Sequence, residues 1–347
     1  MRAVLHFVVT VSLGAGVLAT AQGQGADATK ILAAAREALG GEQKLAAVKT
    51  FVATGRTRQV RGNNLVPIEF EIACELPGKY VRRDEIPAQE SGPTSTGFNG
   101  DGLIQVPPPP EPSPQAARSG GPPASVTTPP VSVTTPPAST AAAAAPAKPG
   151  GPPAAPPDPR KARVTPIKQD FVRLTLGMFA TSFSSYPLTF AAAGQAEAPQ
   201  GKADIIDVKG AGNFALRFFI NSDTHLPIMV SWTMPATSVV VTEPGQPAPE
   251  TSPPGSVVVQ APPRPGSTAT KEEQDKYARD IQELRKKALG KPVEYRLYYA
   301  DYRDVGDGLR FPFRLRRAIA GETVEETNFD GFRINARIDP RKFEVVK

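Results

Sequence analysis

The chain has 347 residues, a formal charge of +6, one cysteine, two histidines and 39 prolines. A lone cysteine excludes an internal disulfide framework and two histidines exclude a His-rich metal cluster, so stability has to come from a core. The modest charge, with no recognisable binding module, excludes nucleic acid as a partner.

The first residues read as a secretory signal peptide, 1–21: Arg2 supplies the positive start, 4–18 a short apolar run, and Ala19-Thr20-Ala21 the small-residue cleavage site before Gln22. The run is too short for a membrane span, and nothing downstream is apolar enough for one, so no transmembrane segment is expected in the mature chain. The expected location is periplasmic or otherwise exported. The remainder, 22–347, reads as one domain with two insertions.

A helix is predicted over 27–39, with Ile31, Leu32, Ala35, Ala38 and Leu39 on one face and Gly40-Gly41 as its stop. Strands follow at 51–61, then in a segment where Ile68, Phe70, Ile72, Cys74 and Leu76 alternate with Glu69, Glu71 and Glu75, then at 79–85 after Pro77-Gly78. On that second strand Cys74 reads as a buried small hydrophobe and the glutamates as a solvated face. Arg56, Arg58, Arg61, Arg82, Arg83, Arg314 and Arg316 are likewise read as solvated sheet positions, with an anionic partner such as a lipid headgroup as the sharper alternative. A hairpin over 96–106 turns at Asn99-Gly100-Asp101-Gly102.

From 107 to 163 the chain is Pro-, Ala- and Gly-rich with almost no aromatic residues, which predicts a disordered insertion. A helix is expected over 165–183, carrying Ile167, Phe171, Leu174, Met178 and Phe179, with Pro166 in its first turn. Strands at 203–209, 214–220 and 227–234 come next, the last two joined by Asn221-Ser222-Asp223-Thr224. A second Pro-rich insertion, 235–270, is also read as disordered. It leads into a charged helix, 271–289, opened by a Thr270/Glu273 capping box and closed by Gly290 and Pro292. Residues 298–343 form a meander with breaks at Gly306-Asp307-Gly308, Ala320-Gly321 and Asp330-Gly331. Along it Leu309, Phe311, Phe313 and Leu315 oppose Arg310, Arg314 and Arg316.

No catalytic residues, no metal ligands and no cofactor are assigned. The one histidine past the signal, His225, sits in a turn with no nucleophile elbow, and Asp301, Asp304 and Asp307 lack calcium-loop spacing. The fold class expected is α+β: a curved antiparallel sheet with one apolar face, covered by helices. A loose fit between the two leaves an apolar concavity, the usual form of a small-ligand site. Its candidate lining is Ile68, Phe70, Ile72 and Leu76, Phe171, Met178 and Phe179, Phe218 and Ile220, and Phe311, Phe313 and Leu315. The competing reading is that these side chains form a solid core.

The signal, the helix ending ALGG and the long meander together resemble the periplasmic lipoprotein-carrier superfamily, the LolA/LolB-like proteins of outer-membrane lipoprotein sorting. Three segments carry the likeness: Phe219 to Pro227, Asp301-Tyr302-Arg303-Asp304-Val305 with Phe311-Pro312-Phe313, and Asn335-Ala336-Arg337-Ile338-Asp339 with Phe343. The resemblance implies a half-open β-barrel plugged by helices that holds acyl chains. Two functions are then expected to compete. One is a non-catalytic carrier or sensor whose partner is a hydrophobic ligand or lipidated protein. The other is an envelope scaffold or regulatory module whose Pro-rich insertions engage an envelope protein partner.

Overall fold

The structure, a computed structural model, describes residues 24–62, 64–87, 89–90, 92–108, 159–198, 201–247 and 252–345. The signal segment and most of the first Pro-rich stretch, 109–158, lie outside the described residues. Helices α1 (Gln24–Ala38) and α2 (Glu42–Ala47) precede a meander of β1 (Thr50–Arg61), β2 (Asn64–Glu75), β3 (Lys79–Glu85), β4 (Thr94–Asn99) and β5 (Gly102–Val106). Helix α3 (Pro159–Phe179) leads into a second meander, β6 (Leu188–Ala198), β7 (Gly201–Gly210), β8 (Ala215–Asn221) and β9 (Pro227–Pro235). After a side excursion of β10 (Ser238–Thr242), β11 (Ser256–Gln260) and α4 (Lys271–Leu289), a third meander closes the fold: β12 (Pro292–Asp304), β13 (Arg310–Ile319) and β14 (Glu322–Ile334).

The three meanders join in one twelve-stranded antiparallel sheet, ordered β5-β4-β3-β2-β1-β14-β13-β12-β9-β8-β7-β6. The closing meander therefore lies in the middle, hydrogen-bonded to β1 on one side and to β9 on the other. The sheet does not close: β5 and β6 are its two edges. Helix α3 nevertheless touches β4 and β5 at one edge and also β13 and β9. On a flat sheet β4 and β9 would stand roughly 34 Å apart, at about 4.8 Å per strand, against about 10–12 Å for the whole width of a helix. One helix meets both only because the sheet curls around it. The architecture is thus α+β, an open curved sheet with α3 in its concavity.

Alternation fills that concavity. Phe51, Cys74, Tyr80, Phe98 and Leu103 are register partners across β1 to β5 and all are buried, an apolar row on the inner face. On the outer face Glu69, Glu71 and Glu75 pair with Arg56, Lys342 and Lys79, surface bridges worth little each. The C-terminal segment crosses this outer face, where Phe343 packs with Val52, Ala73, Val81 and Ile104. Burial, and then the neighbouring Glu75 carboxylate, push the Cys74 thiol well above its usual range. The folded protein should consequently resist a thiol-specific colorimetric reagent and react only on denaturation; rapid labelling in native buffer would contradict this placement.

Four expectations are corrected. Asp330-Gly331 is not a break but lies inside β14. There Gly331 pairs with Thr54 and Phe329 with Gly55, so Asp330 is the extra residue of a β-bulge. The helix expected over 165–183 starts earlier, at Pro159, and ends at Phe179, with Pro166 inside it. Strand β6 was not foreseen, because its alanines carry little strand propensity; pairing to β7 along its whole length overrides that. The second Pro-rich stretch is not disordered throughout: Ser238–Thr242 and Ser256–Gln260 pair in parallel as β10 and β11. Their valine runs supply the β-branched side chains a strand needs, and α4 packs against both. The capping box of α4 forms as expected, Thr270 Oγ1 accepting from Glu273 N at 3.3 Å and Thr270 N donating to Glu273 Oε2 at 2.8 Å.

Candidate functional site

Helix α3 is the plug. Every residue from 171 to 180 is buried, so this half of the helix has no solvent face. Its one hydroxyl, Thr175 Oγ1, is satisfied by the Phe171 carbonyl at 2.9 Å. Two tyrosines of β12 pin it from the sheet. Tyr299 donates its hydroxyl to the Arg173 carbonyl, and the Tyr302 hydroxyl lies 2.9 Å from the Gly177 carbonyl and 3.0 Å from that of Pro227. Burial pushes both phenols above their ordinary value, so they remain protonated donors.

Between α3 and the sheet lies a cavity of about 160 Å³. Ile72, Leu174, Leu297, Leu315 and Phe329 make its apolar wall. Arg82, Arg317, Asp170 and Glu325 make its polar side. Arg82 is held in place: its Nε donates to Asp84 Oδ1 at 2.7 Å, its NH2 to Thr57 Oγ1 at 3.1 Å, and its guanidinium lies 4.6 Å over the Phe70 ring. Thr57 and Thr327 share a 2.8 Å hydroxyl bond beside it. Burial alone would lower the Arg82 pKa, but the Asp84 and Glu325 carboxylates outweigh it and hold the group above its ordinary value. Arg173 on α3 pairs with Asp170 at 2.8 Å and lies over Trp232 at 4.3 Å. Burial, with Arg317 nearby, pulls its pKa down against Asp170. The site is amphiphilic, with an apolar floor and a charged rim.

The expected lining residues divide. Ile72 and Leu315 face the cavity. Phe171, Met178, Phe179, Phe218, Ile220 and Phe311 are buried in close packing, with Phe179 5.1 Å from Phe311 and 6.3 Å from Phe51, ring to ring. Ile68 and Phe70 are buried on β2, Phe70 edge-on to Phe329 at 5.4 Å. Leu76 and Phe313 are half-buried, Phe313 against Phe332 at 5.3 Å. His225 occupies the turn after β8 with a left-handed backbone, φ 56°. Asp304 accepts from Gly306 N at 2.7 Å, as a turn residue does.

The charged rim was missed. Arg82 stands on the inner face and not among the solvated arginines, because it shares the phase of Tyr80, its inward neighbour two residues back. Arg317 continues the inward phase of Phe311, Phe313 and Leu315 by one step. The alternation alone therefore places its side chain on the inner face.

No family model and no curated protein matches this chain. Among solved structures it is similar to a LolA superfamily protein from Nitrosomonas europaea, at 9% identity and a TM-score of 0.42, covering 91% of this chain and 97% of that one. An outer membrane lipoprotein-sorting protein domain from Vibrio parahaemolyticus gives 8% identity and a TM-score of 0.39 over the same shares. A DUF1329 family protein from Desulfovibrio piger gives 7% and 0.38, again over 91% and 97%. Among the described residues no helix is long and apolar enough to cross a membrane.

Proposed function

We propose that this is an exported cell-envelope protein that binds a hydrophobic ligand, a lipid or the acyl chains of a lipidated protein, on the concave face of its sheet. It acts by binding and not by catalysis. The observation that carries this reading is the cavity under α3, whose wall is apolar and whose rim is polar, the arrangement of a small-ligand site. Export rests on the signal pattern around Arg2 and Ala19-Thr20-Ala21.

The cavity holds about 160 Å³, below the roughly 300–1,000 Å³ of ordinary ligand pockets. A full acyl chain therefore enters only as α3 withdraws from the sheet, so helix and ligand compete for one apolar surface. Native mass spectrometry of protein purified from its own envelope should show adducts that organic extraction removes and identifies as lipid. Apo mass alone, from gently handled material, would overturn the proposal.

A further inference from the structure

We infer that Arg317 is the anchor for an oxyanion headgroup, a carboxylate or phosphate, of an amphiphile whose chain lies along the apolar wall. The inference rests on the ligand-binding reading above and names the chemistry of the ligand's polar end.

Three guanidiniums gather where α3 meets the sheet, and two of them hold a carboxylate. Arg82 pairs with Asp84 and bonds Thr57, and Arg173 pairs with Asp170 through NH1, although its own Nε is buried without a partner. Arg317 holds none. Its Nε is buried with no hydrogen-bond partner, and among the described residues it makes no ion-pair contact. In the sheet it stands between Glu325 on β14 and Leu297 on β12, just before a bulge in the β13–β14 pairing. Glu325 and Asp170 keep it charged through space, against the cost of burial and the repulsion of Arg82. Asp170 is spent on Arg173, and Glu325 is 3.4 Å from the Thr327 hydroxyl that donates to it.

Arg317 is half-buried, and a donor such as its Nε, shut off from water and left empty, costs free energy that a folded chain normally recovers by pairing it. The planar fork of an arginine matches the two oxygens of a carboxylate or phosphate. Arg317 lines the same cavity as Leu174, Leu297 and Leu315, so a head held on its fork has apolar wall directly beside it. The space of about 160 Å³ admits a short chain, since a water-sized group takes roughly 30 Å³. One end charged and the other apolar is the shape of an amphiphile, and neither a bare anion nor a hydrocarbon uses both features.

The test titrates the full chain with octanoate, octyl phosphate and octanol, following the emission of Trp232, the single tryptophan, which lies under Arg173. Calorimetry checks each value. Octanoate or octyl phosphate should bind about tenfold to hundredfold more tightly than octanol, the worth of a charge-assisted hydrogen bond, and their order says which oxyanion is preferred. Arg317→Gln should bring the charged probes down to the level of octanol, and Arg317→Lys should restore part of the difference. Arg316→Gln, on the outer face over Tyr298, should leave the difference intact. Octanol binding as tightly as octanoate in the unaltered protein, or Arg316→Gln acting like Arg317→Gln, overturns the headgroup assignment and leaves the hydrophobic site standing. Failure of all three probes to bind overturns both.

Discussion

Phe179→Ala is expected to remove about 3–5 kcal/mol of unfolding free energy, as deletion of a fully buried phenylalanine does. The ring is 1% exposed, at the last turn of α3, and touches three others: Phe51 at 6.3 Å, Phe183 at 5.5 Å and Phe311 at 5.1 Å. Phe51 belongs to β1, Phe311 to β13 and Phe183 to the link before β6, so this one side chain ties the plug to both sides of the β1–β14–β13 junction. The measurement also tests how the floor of the concavity is built. Where rings already face empty space, truncation removes few contacts; where they interdigitate, it leaves a cavity that the neighbours cannot close. Urea unfolding of the variant should therefore show the full loss with an unchanged slope. A loss below about 1 kcal/mol would mean that Phe179 borders open volume, contrary to the packing described.

How far the sequence leads depends on which period governs each segment. β2 was legible residue by residue, because Ile68, Phe70, Ile72 and Cys74 alternate without interruption and the structure buries all four. The closing meander was legible as strands, but its position in the middle of the sheet was not. That position depends on which meanders pair, β1 with β14 and β12 with β9, and no local pattern encodes such long-range choices. Asp330-Gly331 has turn chemistry and is a bulge; the same two residues suit both, and only a partner strand decides. Proline density hid β10 and β11, since composition averages over a window longer than a five-residue strand. The polar half of the site was lost for a different reason. Charged side chains on strands face solvent by default, and Arg82 and Arg317 break that default where their carboxylate neighbours make an inward charge tolerable.

Gly177→Ala sets two effects against each other, and its sign shows how firmly α3 is seated. In an isolated helix the change should stabilise by about 1 kcal/mol. Here a methyl at residue 177 would meet the Tyr299 ring at 2.4 Å from Cδ1 and 2.5 Å from Cε1. The ring cannot swing aside cheaply: its hydroxyl is bonded to the Arg173 carbonyl, one helical turn back, so the side chain runs along α3 between the two positions. The helix has to lift from β12 instead, and overpacking of that kind costs about 1–3 kcal/mol, with loss of the tyrosine bond added. Net destabilisation is expected, with Gly177→Ala/Tyr299→Leu recovering most of it in a double-mutant cycle. The same lift opens the wall between Leu174 and Leu297, so the destabilised single variant should hold longer-chain probes more tightly than the unaltered protein. Tighter binding by a less stable protein is the signature of a plug in competition with its ligand. Stabilisation by Gly177→Ala, with binding unchanged, would show instead that α3 slides freely on the sheet and that its seating does not control access to the cavity.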